Sequence, residues 1–245
     1  MPASSSFSAS SASSPANRAV VLLSGGLDST VALADVLIRQ PVACVLTFDY
    51  GQRAAARELK ATRAIARHYG LTHHIVPLPW LSDLLPQALT PKQVLEDKGI
   101  SLAQPLTDAE LFDVNRVWVP NRNGLFLNIA ACYAEAFNAD SVVFGANAEE
   151  GVDFPDNTEA FRQKMSEVFA FSTLNGVQVQ TPLVHLNKTE IMERGLALNV
   201  PFEWVWSCYE DAEIQCGQCP SCIRVQNAQR QLQAQTGKAA GLAFQ

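Results

Sequence analysis

Two groups of residues have the types and spacing for chemistry. The first is Ser24-Gly25-Gly26-Leu27-Asp28-Ser29, set between an apolar run at 19–23 and a helix-spaced apolar pattern. Two glycines let the backbone turn sharply and approach an anion closely. The amides of such a loop, and of the helix that follows, donate to phosphate oxygens, and the helix dipole favours negative charge. Ser24, Ser29 and Thr30 add hydroxyls. The stretch has no lysine, and Asp28 stands where many phosphate loops keep positive charge. A carboxylate suits a hard cation such as Mg²⁺. Neither G-x-x-x-x-G-K-[ST] nor G-x-G-x-x-G occurs in the chain. The plain alternative is strand-to-helix punctuation, a Gly-Gly turn followed by an N-terminal Asp-Ser.

The second group is Cys208, Cys216, Cys219 and Cys222, spaced C-x7-C-x2-C-x2-C. The short steps let thiolates converge, and four of them suit a closed, tetrahedral, structural Zn²⁺ site. An iron–sulfur cluster is the rival. Cys44 and Cys132 lie in apolar stretches and read as packing residues. The four histidines show no metal-ligand grouping. Lys188 opens a late helix, where its charge opposes the dipole unless an anion is near; a surface lysine placed by chance is the alternative. Asp49 and Tyr50 end an apolar run, as turn residues or as the flank of a nucleotide.

The elements that must hold these groups follow from periodicity. Short apolar runs at 19–23, 42–48 and 73–76 read as strands buried on both faces, with helices at 29–40 and 53–70 between them. This βαβαβ order implies a parallel sheet with right-handed crossovers. Helices follow at 124–137, 159–174 and 188–199, and strands at 141–144 and 177–180. The proline-rich stretch 79–120 is long for an ordinary loop and reads as a lid or substrate loop with short helices. The expected fold class is α/β, Rossmann-like, with helices on both faces of a parallel sheet and a small C-terminal zinc-binding segment. The expected organisation is a disordered Ser/Ala-rich tail at 1–17, a nucleotide-binding and catalytic domain at 18–203, the four-cysteine segment and a helix at 204–235, and a flexible tail at 236–245.

Composition narrows the partners. Of 245 residues, 48% are hydrophobic and 17% charged, enough for a sizeable core. The net charge of −6 weighs against a protein built to grip nucleic acid, whose affinity comes from Lys and Arg on phosphates. No run approaches 18 apolar residues, and the N-terminus lacks the features of a secretory signal. A cytoplasmic protein with no membrane partner is expected, which favours metal over disulfides for the cysteine cluster.

S-G-G-L-D-S resembles the loop of the PP-loop ATP pyrophosphatases, the adenine nucleotide α-hydrolase-like superfamily. With "TFDYGQR", "WVPNRNGLFLNIAACYAEAF", "VVFGAN", "TPLVHLNKTEI" and "WSCYEDAEIQCGQCPSCIR", the chain resembles the 7-cyano-7-deazaguanine synthase family of the queuosine pathway over about 19–225. The four-cysteine terminus after a PP-loop domain is the specific part. The resemblance implies ATP held by Leu23, Ser24, Gly25, Gly26, Leu27, Asp28, Ser29, Thr30, Val31, Ala32 and Leu33. It implies catalytic roles for Asp28 and Lys188, and a substrate pocket lined by Arg122, Asn123 and Asp156. It also implies Mg²⁺ with ATP, structural zinc, and a homodimer. The implied reaction joins 7-carboxy-7-deazaguanine and ammonia through adenylated carboxylate and amide, releasing AMP and pyrophosphate. The stretch 151–158 departs from the family's usual pattern at Val152-Asp153-Phe154 and Asn157-Thr158. Adenylation of another acceptor, such as a tRNA base or a protein group, is the alternative activity. A non-catalytic nucleotide-binding protein with a zinc staple is the third reading.

Overall fold

Alternation along the first strand decides the layers. In the computed structural model, which describes residues 17–98 and 113–244, β1 (Ala19–Leu22) occupies the middle of a five-stranded sheet. Ala19, Val21 and Leu23 turn to one face, and Val20 and Leu22 to the other. The remaining strands are β2 (Val42–Asp49), β3 (His73–Pro77), β4 (Ser141–Val143) and β5 (Gln178–Gln180). All pair in parallel, in the order β3-β2-β1-β4-β5. The chain builds outward from β1 to β3, then restarts on the other side with β4. That reversal opens a crevice beyond the carboxyl ends of β1 and β4, where ligands bind in open parallel sheets.

One face carries α1 (Leu27–Leu37), α2 (Ala55–His68), α7 (Lys188–Ala197) and α8 (Pro220–Thr236), whose Val31, Ile65, Ile191 and Leu232 meet over β1. The other carries α4 (Arg122–Ala136) and α6 (Glu159–Ser172), through Leu127, Ala130 and Phe169. The short helices α3 (Lys92–Asp97) and α5 (Glu150–Asp153) lie in the connections. α1 is buried almost all round because α7 covers the side that the sheet does not. On that side, buried Asp35 is matched by Arg194 of α7, with Nη2 at 2.6 Å.

Every strand and long helix expected from periodicity is present, with boundaries moved by at most three residues. α4 starts at Arg122 rather than 124, because Asn121 takes a left-handed conformation (φ 52°) directly after Pro120. The stretch 79–120 holds 3₁₀ turns at Pro79–Leu84 and Val114–Arg116 besides α3; its part at 99–112, and residues 1–16 of the expected N-terminal tail, lie outside the described residues. Two expectations need correction. Cys44 is buried, and burial pushes its thiol up to about 11, but Cys132 is exposed: it falls on the side of α4 turned away from the sheet. The chain after α8 packs back onto the body at 240–244 rather than trailing free. Ala240 and Leu242 join the core, and Phe244 bridges to Gln215. Among the described residues no helix is long and apolar enough to cross a membrane.

Candidate active site and metal centre

The cavity at the crevice measures about 270 Å³. Its floor is the loop after β1. Gly25 has φ +82°, and a Cβ there would meet Ala61 Cβ at 2.9 Å, so only glycine lets the loop pass this close to α2. Gly145, just past β4, is the counterpart. A Cβ on it would meet the Ser29 amide nitrogen at 2.8 Å and the Asp28 carbonyl carbon at 2.9 Å. The β4 tip and the first turn of α1 therefore touch backbone to backbone. Ser24 and Ser29 hydroxyls lie 3.0 Å apart and brace the loop.

Of the residues expected at ATP, Leu23, Ser24, Gly26, Leu27, Asp28 and Ser29 line this cavity. Gly25 shapes the turn from behind. Thr30 is buried and gives its hydroxyl to the Gly26 carbonyl at 2.7 Å. Val31, Ala32 and Leu33 are fully buried in the core, where they anchor α1.

Lys188, 160 residues from Asp28, reaches it across the cavity floor. Its ammonium binds the Asp28 carboxylate and Glu150 Oε1, the latter at 2.8 Å. Asn187 caps α7 and forms a capping box with Glu190, while the Lys188 amide donates to Glu149 Oε1 at 2.7 Å. A lysine at a helix start is thus explained by carboxylates. Burial disfavours its charge, yet Asp28 and Glu150 outweigh that and hold it above its ordinary value. Burial would raise Glu150, but Lys188 and Arg224 hold it low. Two carboxylates share one ammonium, and Asp28 is left short: burial pushes it up to about 6, against the pull of Lys188. Its Oδ1 is buried with no hydrogen-bond partner among the described residues. An unsatisfied carboxylate oxygen at the cavity floor is a ready cation ligand.

Arg122, Asn123 and Asp156 come together on the opposite wall. Arg122 donates to the Tyr50 hydroxyl at 3.4 Å, Asp156 helps hold its charge, and Asn157 donates to Asp156 Oδ1 at 3.1 Å, with Asn123 lining the same wall. Aromatic rings frame the wall. Phe48 stacks on Phe126 at 3.9 Å, and Trp118 lies nearly parallel to Phe154 at 6.0 Å. Glu58 of α2 is fixed by Gln52 at 2.7 Å, and burial holds its carboxyl above the usual range.

The four cysteine sulfurs gather within 4.8 Å of one another, Cys216 and Cys222 at 3.9 Å. A tetrahedral centre with bonds of about 2.3 Å has sulfur–sulfur edges of about 3.8 Å. Backbone amides point at the sulfurs: Glu210 and Cys216 donate to Cys208, each at 3.3 Å, and Cys219 donates to Cys216 at 3.3 Å. The four sulfurs are close enough together that one metal ion could sit among them. The cluster sits beside the cavity, since Ser207 and Tyr209, flanking Cys208, line it.

Glu150, Glu58, Trp118, Ser207 and Tyr209 are site residues that sequence reasoning missed. Glu150 stood in a visible acid pair just past a strand. The signal for Ser207 and Tyr209 was their adjacency to Cys208.

The Queuosine biosynthesis protein QueC family matches residues 18–233. The chain is 46% identical over 215 residues to 7-cyano-7-deazaguanine synthase from Pelotomaculum thermopropionicum, covering 84% of this chain and 94% of that one. It is 44% identical over 214 residues to the same enzyme from Desulforudis audaxviator, covering 87% and 96%. Among solved structures, a 4-thiouridine synthetase in complex with RNA and bound ATP is similar in fold, with a TM-score of 0.51 at 23% identity, over 90% of this chain and 50% of that one. With a glycine-pair loop at the switch point, a four-sulfur cluster beside it and this similarity over nearly the whole length, the chain belongs to the QueC family of 7-cyano-7-deazaguanine synthases.

Proposed function

We infer that this protein is an ATP-dependent ligase that converts 7-carboxy-7-deazaguanine and ammonia to 7-cyano-7-deazaguanine in queuosine biosynthesis. The observation that carries the reading is family membership over 18–233 together with the Asp28–Lys188–Glu150 cluster under the phosphate loop.

The carboxylate oxygen attacks the α-phosphorus of ATP, the bond to the β-phosphate oxygen breaks, and pyrophosphate leaves. Ammonia attacks the acyl carbon, AMP departs, and a proton is lost, giving the amide. The amide oxygen then attacks a second ATP in the same way. Loss of AMP and protons leaves the nitrile. Both activations need an oxygen nucleophile held in line with the α-phosphorus, so one cavity serves twice. The loop amides and the start of α1 hold the leaving pyrophosphate. The loop needs no lysine of its own because Lys188 supplies that charge from α7. Arg122, Asn123 and Asp156 bind and orient the acid, within an aromatic wall suited to a planar heterocycle.

Asp28, with its free Oδ1, would hold Mg²⁺, which when bound neutralises charge on the phosphates. Cys208, Cys216, Cys219 and Cys222 would hold Zn²⁺ as a closed structural site. The net charge of −6 and a cavity of about 270 Å³ favour a small acid over a nucleic acid as acceptor. A cytoplasmic homodimer completes the proposal.

The test is incubation of purified protein with Mg-ATP, ammonium and 7-carboxy-7-deazaguanine. Two AMP per nitrile, the nitrile read by mass spectrometry, is expected. Absence of acid-dependent AMP would overturn the substrate, and ADP in place of AMP would overturn the site of attack.

A further inference from the structure

Helix α1 begins without a side-chain cap of its own, because glycine stands at its N-cap. The partner for its first amide comes from 180 residues away: the Leu27 N–H donates to Ser207 Oγ at 3.1 Å. Within the glycine pair, at the Gly25–Gly26 peptide, the Trp206 amide donates to the Gly25 carbonyl at 2.8 Å. Adjacent residues of one segment thus hold the turn on both sides of Gly26. Ser207 is itself fixed, its amide donating at 2.9 Å to Oε1 of Gln215, which is buried. The residues that follow Ser207 and Gln215 are Cys208 and Cys216, so the same short loop carries the clamp and two of the four sulfurs.

A hydroxyl that accepts one hydrogen bond still has its own proton to give. Ser207 lines the cavity, and among the described residues that proton has no acceptor. Accepting from Leu27 directs the O–H away from the α1 amide.

We propose that Ser207 is part of the nucleotide site: it positions the phosphate loop through the Leu27 amide and gives its proton to a phosphate oxygen, so that occupancy of the four-cysteine site sets the affinity for nucleotide. This rests on reading the cavity as the ATP site. Coupling of this kind is reciprocal, so nucleotide must also tighten the hold on the metal.

The experiment is calorimetric titration of the full chain, metal-loaded, with Mg²⁺ and α,β-methylene-ATP. Failure of the unaltered protein to bind would refute the nucleotide site itself, whereas the ratio between variants tests Ser207. Loss of one hydrogen bond predicts that Ser207→Ala binds about 3- to 10-fold more weakly. Its metal content should stay at that of the unaltered protein, and Ser207→Thr, which keeps the hydroxyl, should bind within about twofold. Unchanged affinity in Ser207→Ala overturns the proposal, as does loss of its metal, which would make Ser207 a structural part of the metal loop. A second measurement needs no variant. The nucleotide analogue should slow extraction of the metal by a chelator several-fold, and equal extraction rates with and without it overturn the coupling.

Discussion

Asp28 is the residue on which the site turns. It is raised to about 6 by burial, because Lys188 is shared with Glu150 and cannot fully compensate two carboxylates. Asp28→Asn keeps the shape and leaves Lys188 paired with Glu150. Turnover should fall at least about 100-fold if the carboxylate organises the cation, with fold and metal content retained; near-normal turnover would refute that role. Stability gives an independent check. A carboxyl whose folded pKa lies above its unfolded value binds its proton more tightly in the folded state. Its stabilisation is complete below the unfolded value, about 3.8, and is lost as pH rises through about 6. Denaturant titrations without nucleotide should therefore show Asp28→Asn gaining on the unaltered protein between about pH 4 and 6. A pH-independent difference would mean that Asp28 does not titrate there.

At the scale of elements, contact between the β4 tip and the start of α1 sets the depth of the cavity. Gly145 permits it, and the atoms a Cβ would strike are backbone atoms that no rotamer change can clear. Gly145→Ala should cost about 1–3 kcal/mol by thermal or denaturant melting. It should also raise KM for ATP, because α1 must move away from β4 to make room. A variant with unaltered KM would show that the loop tolerates that movement. The elements themselves were legible because β1, β2 and β4 are short apolar runs and α2, α6 and α7 carry clear periodicity. α5 was not, since Glu150–Asp153 is a single turn with no buried residue and hence no apolar pattern. Cys132 was misplaced for a related reason: α4 is apolar enough all round that pattern alone does not say which side meets the sheet.

For the whole molecule, the four-cysteine segment ties the C-terminal helix to the body and reaches the cavity floor. Besides Ser207 and Trp206, Arg53 links to Glu210 at 2.6 Å and to the Thr90 carbonyl at 2.9 Å, so the segment also fastens the loop that follows β3. Cys219→Ser should lower bound metal and melting temperature together, and chelation of the unaltered protein should do the same. Full metal content in Cys219→Ser, measured by elemental analysis, would refute its place among the ligands.

The local order of strands and helices, the glycine-pair loop and the four cysteines that gather were legible in the sequence alone, because each rests on spacing within a few residues: apolar periodicity, a glycine pair before a helix, two Cys-x2-Cys steps. What only the tertiary structure decided was which distant residues share a space. Lys188 meets Asp28 across 160 residues, Ser207 caps α1 across 180, and Asp156 finds Arg122 on a different helix. Such meetings depend on where the sheet reverses its strand order and on how closely β4 approaches α1. Those are properties of packing in three dimensions, and no short-range pattern encodes them.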